Sequence, residues 1–163
     1  MGTFSIVVCV DNKFGISKDA KIPWHISEDM YFFRKLTTGC VIIMGRTTFE
    51  SVGYLPKRTT LVVSSTLQGD NIFKTLQDAL DKAYTLNNYV YVVGGASLYM
   101  EAYTNKDCDK VYMNVIDYDY MCDNHISCPT EFNFECLNVY TFKVHDTTND
   151  IDVFLSKKIY NGK

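Results

Sequence analysis

The chain has 163 residues, 47% of them hydrophobic and 21% charged, with a net charge of −3. That balance excludes a disordered chain and predicts one domain, residues 1–163, with a single core. The negative charge, without a long basic run, argues against nucleic acid as a partner, and no apolar run reaches the length of a membrane span.

In chain order, the first strand signal is SIVVCV (5–10), nearly continuous in apolar residues, as for a strand covered on both faces. The segment IPWHISEDMYFFRKL (22–36) follows, with a helix predicted over 27–37. On a helical wheel Ile26, Met30, Phe32, Phe33 and Leu36 share one face, and Asp29 falls in its middle while Glu28 points outward. With Ser27 as N-cap, Asp29 stands where an acid favours the helix dipole, yet Glu28 supplies that benefit from the solvent side. An inward carboxylate among Phe and Leu side chains is instead a candidate reactive group.

CVIIM (40–44) is the next strand, ending at Gly45, after which Arg46, Thr47 and Thr48 open a short helix. TTLVVS (59–64) is a third strand, and TLQDALDKAY a helix with Thr75 and Asp78 as a capping box and Leu76, Ala79, Leu80 and Ala83 as its stripe. YVYVV (89–93) runs into Gly94 and Gly95, and Ala96, Ser97 and Leu98 open another helix. KVYMNVI (110–116) is a fifth strand. The segment DYDYMCDNHISCPTEFNF reads as loop, and YTFKVHD with VFLSKKIY as a closing antiparallel pair. Strands alternating with helices define an α/β domain with a largely parallel sheet.

Two strand ends thus lead through glycine into a helix N-terminus, which presents unpaired N–H groups to an anion such as phosphate. Each turn alone is also ordinary capping chemistry, and neither is GxGxxG. Cys122, His125, Cys128 and Cys136 could ligate zinc, but their spacing is not a common finger pattern, and no metal is expected. The six cysteines read as free thiols in a cytoplasmic protein, since the N-terminal stretch lacks a signal peptide's basic region.

Taken in order, IVVCVDNKFGI, IPW, W-x4-D, Thr37, VIIMGRTTFESVG, LVVSS and VYVVGGASLY resemble the dihydrofolate reductase family, over about residues 5 to 117. The W-x4-D spacing is more similar to bacterial members. The resemblance implies a predominantly parallel, eight-stranded mixed sheet flanked by about four helices. It also implies hydride transfer from NADPH to C6 of 7,8-dihydrofolate, with a proton delivered to N5, in a monomer.

By resemblance, the catalytic set is Asp29, the carboxylate that meets the pterin, Trp24, which closes the site, and Ile22, which lines the pterin pocket, and Thr37 supports the region around it. Val7, Val8, Met30, Phe33, Ser51, Val52, Leu55, Val93 and Tyr99 line the substrate pocket, and Arg58 pairs with the glutamate α-carboxylate of folate. The cofactor set is Val8, then Gly15, Ile16, Ser17 and Lys18 of a mobile loop running to Lys21. It continues with Gly45, Arg46, Thr47, Thr48, Ser64, Ser65, Thr66, Val93, Gly94, Gly95, Ala96, Ser97 and Leu98. Among these, Arg46, Ser64 and Ser65 face the adenosine 2′-phosphate, and Gly94–Gly95 is the family's cis peptide. Three departures stand out: Asn114 replaces a common Thr beside the carboxylate, Ser97 a common basic residue, and GYLPKR the usual Gly-Arg-Pro-Leu-Pro run. Two other readings stay open: a folate or nucleotide binder without turnover, and a reductase of a pyrimidine intermediate of flavin synthesis.

Overall fold

The computed structural model describes residues 2–162. Its elements in chain order are β1 (Phe4–Val10), β2 (Gly15–Ser17), α1 (Ser27–Thr37), β3 (Val41–Gly45), α2 (Arg46–Val52), β4 (Thr59–Val63), β5 (Ile72–Phe73) and α3 (Leu76–Leu86). They continue with β6 (Val90–Val92), α4 (Ala96–Tyr103), β7 (Cys108–Ile116), β8 (Asn124–His125), a 3-10 turn (Pro129–Phe132), β9 (Phe134–Asp146) and β10 (Ile151–Gly162). Eight strands form one sheet in the order β5-β4-β3-β6-β1-β7-β10-β9.

The chain resolves into two compact units, Met1–Ile6 with Thr37–Asp109, and Val7–Leu36 with Lys110–Lys163. The first holds the parallel ladder. β3 pairs with β4 and β6, β1 with β6, and β4 with β5, all parallel. Val41 to Met44 are all buried, as are Leu61, Val62 and Val90 to Val92. Such unbroken apolar runs are what strands need when side chains on both faces leave water. α3 buries the expected stripe of Leu76, Ala79, Leu80 and Ala83, and the Thr75 hydroxyl accepts from Asp78 N–H at 3.1 Å.

The second unit is built on antiparallel pairing: β10 pairs with β7 on one side and β9 on the other. The expected closing pair is present, with Val153 opposite Val144 and Leu155 opposite Phe142, and β9 is longer than its sequence signal, starting at Phe134. The segment read as loop carries the two-residue β8 and the 3-10 turn. Trp24, Ile26, Ile116, Tyr120, Val144, Val153 and Leu155 form this unit's core, with Cys9 and Phe142 packed against it.

α1 spans the expected 27–37, but the Ile26 carbonyl accepts from Met30 N–H at 3.1 Å, so Ser27 lies inside the first turn rather than at the N-cap. Phe32, Phe33 and Leu36 are half-buried as the periodicity requires, whereas Met30 is 52% exposed. Among the described residues no helix is long and apolar enough to cross a membrane.

Candidate active site

In the second unit Asp29 stands in the first turn of α1, half-buried, and Asn114 of β7 reaches it from the sheet. Asn114 is 2% exposed and donates through Nδ2 to Asp29 Oδ1 at 2.7 Å. A side-chain amide carries its own donor, so the Asn in place of a hydroxyl holds the carboxylate directly. From β1 the Cys9 thiol stands near enough to Asp29 for each to act on the other's charge. Burial pushes the Asp29 carboxyl above the usual carboxylate range, against the Asn114 bond, the Cys9 thiol and the Lys157 ammonium, which favour its charged form. Burial, with the Asp29 charge added to it, pushes the Cys9 thiol well above its ordinary value. That keeps it a neutral thiol.

Trp24 is 6% exposed and packs on Tyr120 at a ring-centroid distance of 5.1 Å. Its placement comes from a fully buried acid the sequence reading passed over. Asp146 accepts from His25 N–H at 3.1 Å, Thr148 N–H at 3.0 Å, Tyr120 O–H at 2.7 Å and Asn149 Nδ2 at 2.7 Å. Burial works against its charge, but those four donors outweigh it and hold the carboxyl below its ordinary range. The chain just after Trp24 is thereby fixed to the β9–β10 turn.

The loop from Gly15 is tied down at several points. Asp11 accepts through Oδ1 from Lys13 and Gly15 N–H and through Oδ2 from Tyr120 N–H. Gly15 pairs with His125 and Ser17 with Asn124, and Asp123 Oδ2 accepts from Asp19 N–H at 3.0 Å. Any side chain at Gly15 would meet the Cys122 Cβ at 2.4 Å, so only glycine fits. Cys122 therefore sits inward, where burial, followed by the Asp11 charge, pushes its thiol up to about 12. Cys128 lies against Thr130, Cys136 donates to the Asn138 carbonyl and His125 is exposed. Among the described residues no three His, Cys, Asp or Glu group as metal ligands.

Of the remaining candidates in this unit, Val7 and Val8 are buried, Phe33, Ile16 and Ser17 half-buried, and Lys18 exposed. Ile22 is 64% exposed, so it is a surface apolar residue rather than a core one.

The first unit holds the two glycine turns side by side. Gly45 N–H donates to the Gly94 carbonyl at 2.8 Å, the Gly94–Gly95 peptide is cis, and Val93 N–H donates to Ile43 O. A side chain added at Gly94 or Gly95 would start 3.3 or 3.4 Å from Thr48 Oγ1, and Gly94 has φ +126°. Backbone and the Thr48 hydroxyl therefore stay close together with nothing between them. Gly45 and Gly95 precede α2 and α4, and neither helix start is capped by a side chain. Such a start offers N–H groups to an anion.

Arg46 and Thr47 are exposed, and Arg46 is engaged by Glu50 of its own helix at 2.9 and 3.1 Å. Ser64 is buried, and its hydroxyl accepts from Thr66 and Leu67 N–H, so it shapes the turn while Ser65 and Thr66 stay exposed. Arg58 donates to Thr37 Oγ1 at 3.2 Å and to the Pro56 carbonyl at 3.0 Å. Leu55 and Val93 are half-buried, Ser51 and Val52 exposed, and Tyr99 buried with its hydroxyl toward Gly94. Ala96 is half-buried, Ser97 exposed and Leu98 buried.

Cys9, Asp146 and Lys157 were missed by sequence reasoning. For Cys9 a signal existed: the period of two puts it on the same strand face as Val7. For Asp146 and Lys157, both in the weakly patterned C-terminal third, none did.

The fold is shared with an Enterococcus faecalis dihydrofolate reductase solved with NADP(H) and RAB-propyl, at TM-score 0.83 over 98% of this chain and 96% of that one, with 23% sequence identity. That likeness defines the class of fold, an α/β protein on a predominantly parallel eight-stranded sheet. The dihydrofolate reductase family model matches residues 3–158, and the chain belongs to that family. It is 35% identical to the dihydrofolate reductase of Bacillus subtilis strain 168 over 139 residues, 82% of this chain and 81% of that protein. It is 37% identical to that of Haemophilus influenzae over 118 residues, 70% of this chain and 72% of that one. A bifunctional dihydrofolate reductase-thymidylate synthase of Paramecium tetraurelia is 33% identical over 130 residues, of which the chain spans 28% of the length.

Proposed function

We propose that the chain reduces 7,8-dihydrofolate to 5,6,7,8-tetrahydrofolate with NADPH. The observation that carries the reading is the Asp29 carboxylate, raised by burial and held by Asn114 at 2.7 Å, in a member of this family. In its charged form Asp29 accepts two parallel hydrogen bonds from an amidine-like ring edge, such as the N3 and 2-amino group of a pterin. Val7, Phe33 and Trp24 offer apolar surface on its side, Val8 is buried on the other face of β1, and Ile22 and Met30 are exposed apolar side chains that a bound ring would cover. Arg58, oriented by Thr37 and the Pro56 carbonyl, offers its planar fork to a carboxylate tail.

The residues of the glycine turns suit a dinucleotide. The cis Gly94–Gly95 peptide beside Thr48, and the uncapped starts of α2 and α4, form a cradle that a Cβ would fill. Arg46 with Ser65 and Thr66 offers donors to a 2′-phosphate, which favours NADPH over NADH. When bound, the nicotinamide supplies the hydride. We further propose a cytoplasmic monomer of one domain without a nucleic-acid partner, in keeping with its net charge of −3.

The test is NADPH oxidation with dihydrofolate, with NADH in parallel. Turnover that is faster with NADPH is expected. Folded protein that binds NADPH but does not turn over dihydrofolate would sink the proposal and leave a binder.

A further inference from the structure

Lys157 lies on β10 directly opposite Asn114 of β7, as Cα partners in an antiparallel pair. Side chains of such partners stand on the same face of the sheet, within reach of each other. Asn114 spends its amide on Asp29, so Lys157 shares the face that the carboxylate abuts. Among the described residues its ammonium makes no ion pair with an acid. It stands 4.5 Å from the centroid of the Phe32 ring and 5.7 Å from that of Phe142. Phe32 is three residues along α1 from Asp29, so the ring that seats the cation and the carboxylate belong to adjacent turns.

A lysine on aromatic faces keeps its charge but gives up part of its hydration. There its field reaches neighbouring groups with less screening than in bulk water. The other groups around Asp29 are few. Cys9 faces it from β1 as a neutral thiol, and Asn114 from β7 is uncharged. Tyr112 of β7 stacks toward Phe32 at 6.3 Å. On α1 itself Glu28 is exposed, and Arg34 and Lys35 lie over the Tyr31 ring. Asp11 adds its charge to the surroundings of Cys9. The Lys157 charge acts on the carboxylate and favours its ionised form.

We propose that Lys157 is a positioning residue for the site: seated on Phe32 and Phe142 behind Asn114, its ammonium holds Asp29 in the charged form that recognises an amidine-like ligand edge. The inference rests on the reductase reading only for what that ligand is. Its consequence is that the carboxylate stays ionised over a wider pH range than its burial alone would allow, without a direct ion pair that would block its oxygens.

The test follows the carboxyl of Asp29 by 13C NMR in aspartate-labelled protein, titrated without substrate, in wild type, Lys157→Met and Lys157→Arg. The pH profile of kcat/KM for dihydrofolate is measured alongside. Lys157→Met is expected to move the Asp29 titration to higher pH, Lys157→Arg to leave it near the wild-type position, and the kinetic profile to move in the same direction. A titration unchanged in Lys157→Met overturns the proposal. Should that variant fold poorly, Lys157→Gln removes the charge with a polar tip and is held to the same standard. A shifted titration in a protein that never reduces dihydrofolate upholds the Lys157–Asp29 coupling and counts only against the reductase reading.

Discussion

Arg58 donates through Nη1 to the hydroxyl of Thr37 at 3.2 Å, joining the end of α1 to the residue before β4. Thr37 is fully buried, so the bond fixes the guanidinium from the protein side. If Arg58 meets the carboxylate tail of the substrate, Arg58→Leu raises KM for dihydrofolate about tenfold or more while kcat changes little, as for a lost charge-assisted bond. Thr37→Val keeps the volume and loses the anchor, so its KM rises less, about two- to fivefold. Steady-state kinetics with a substrate lacking the glutamate tail is the check: there both variants match wild type. A KM unmoved by Arg58→Leu would show that the pairing is wrong.

Asp29→Asn separates chemistry from stability. Its kcat/KM for dihydrofolate at neutral pH falls by about a hundredfold or more, the usual scale for a lost proton-handling group. Its thermal stability moves the other way. A carboxyl raised by burial binds its proton more tightly in the folded protein than in the unfolded one. Stability therefore declines as pH rises through the unfolded and then the folded pKa, and above both Asp29 is a net burden. The Asn variant melts higher than wild type at neutral pH, and the gap closes in acid. Melting curves across pH read this directly, and a variant less stable than wild type at neutral pH would contradict it.

Glu50 holds Arg46 through two oxygens, with both side chains about half exposed. A 2′-phosphate that recruits Arg46 must compete with that carboxylate. Glu50→Gln lowers KM for NADPH about two- to fivefold, the range that an exposed ion pair spans, and leaves KM for NADH unchanged. Equal changes for both cofactors would mean that Arg46 does not read the 2′-phosphate.

The β9–β10 hairpin carries an exposed charge cluster. His145 Nδ1 bonds Asp152 Oδ1 at 2.8 Å, and Nε2 lies 3.1 Å from Asp150. The Asp152 bond raises the imidazole pKa, and the same bond lowers that of Asp152. The His145 contribution to stability is complete below the ordinary imidazole value and is lost as pH rises through the raised one. The Asp152 contribution is complete above the ordinary carboxylate value and is lost as pH falls through the lowered one. The melting-temperature difference between wild type and His145→Gln is therefore largest at about pH 4 to 6.5, between the two reference values, and small at both extremes. A difference that does not vary with pH would show the cluster to be electrostatically idle.

The sequence by itself determined the parallel half of the sheet. Val41 to Met44 and Val90 to Val92 form unbroken apolar runs because both faces of those strands are buried, and local composition records that demand directly. It also determined α3, whose stripe and Thr75 cap lie within a few residues of one another. Asp29 was legible for a related reason: a helix has one period, and a carboxylate on its apolar side breaks it. Tertiary structure alone decided what surrounds that carboxylate. Asn114 is 85 residues from Asp29, Lys157 enters only through the β7–β10 register, and Asp146 reaches His25 across 121 residues. A polar partner leaves no trace in local periodicity, because what satisfies a buried charge is geometry between distant segments, and that exists only once the chain has folded.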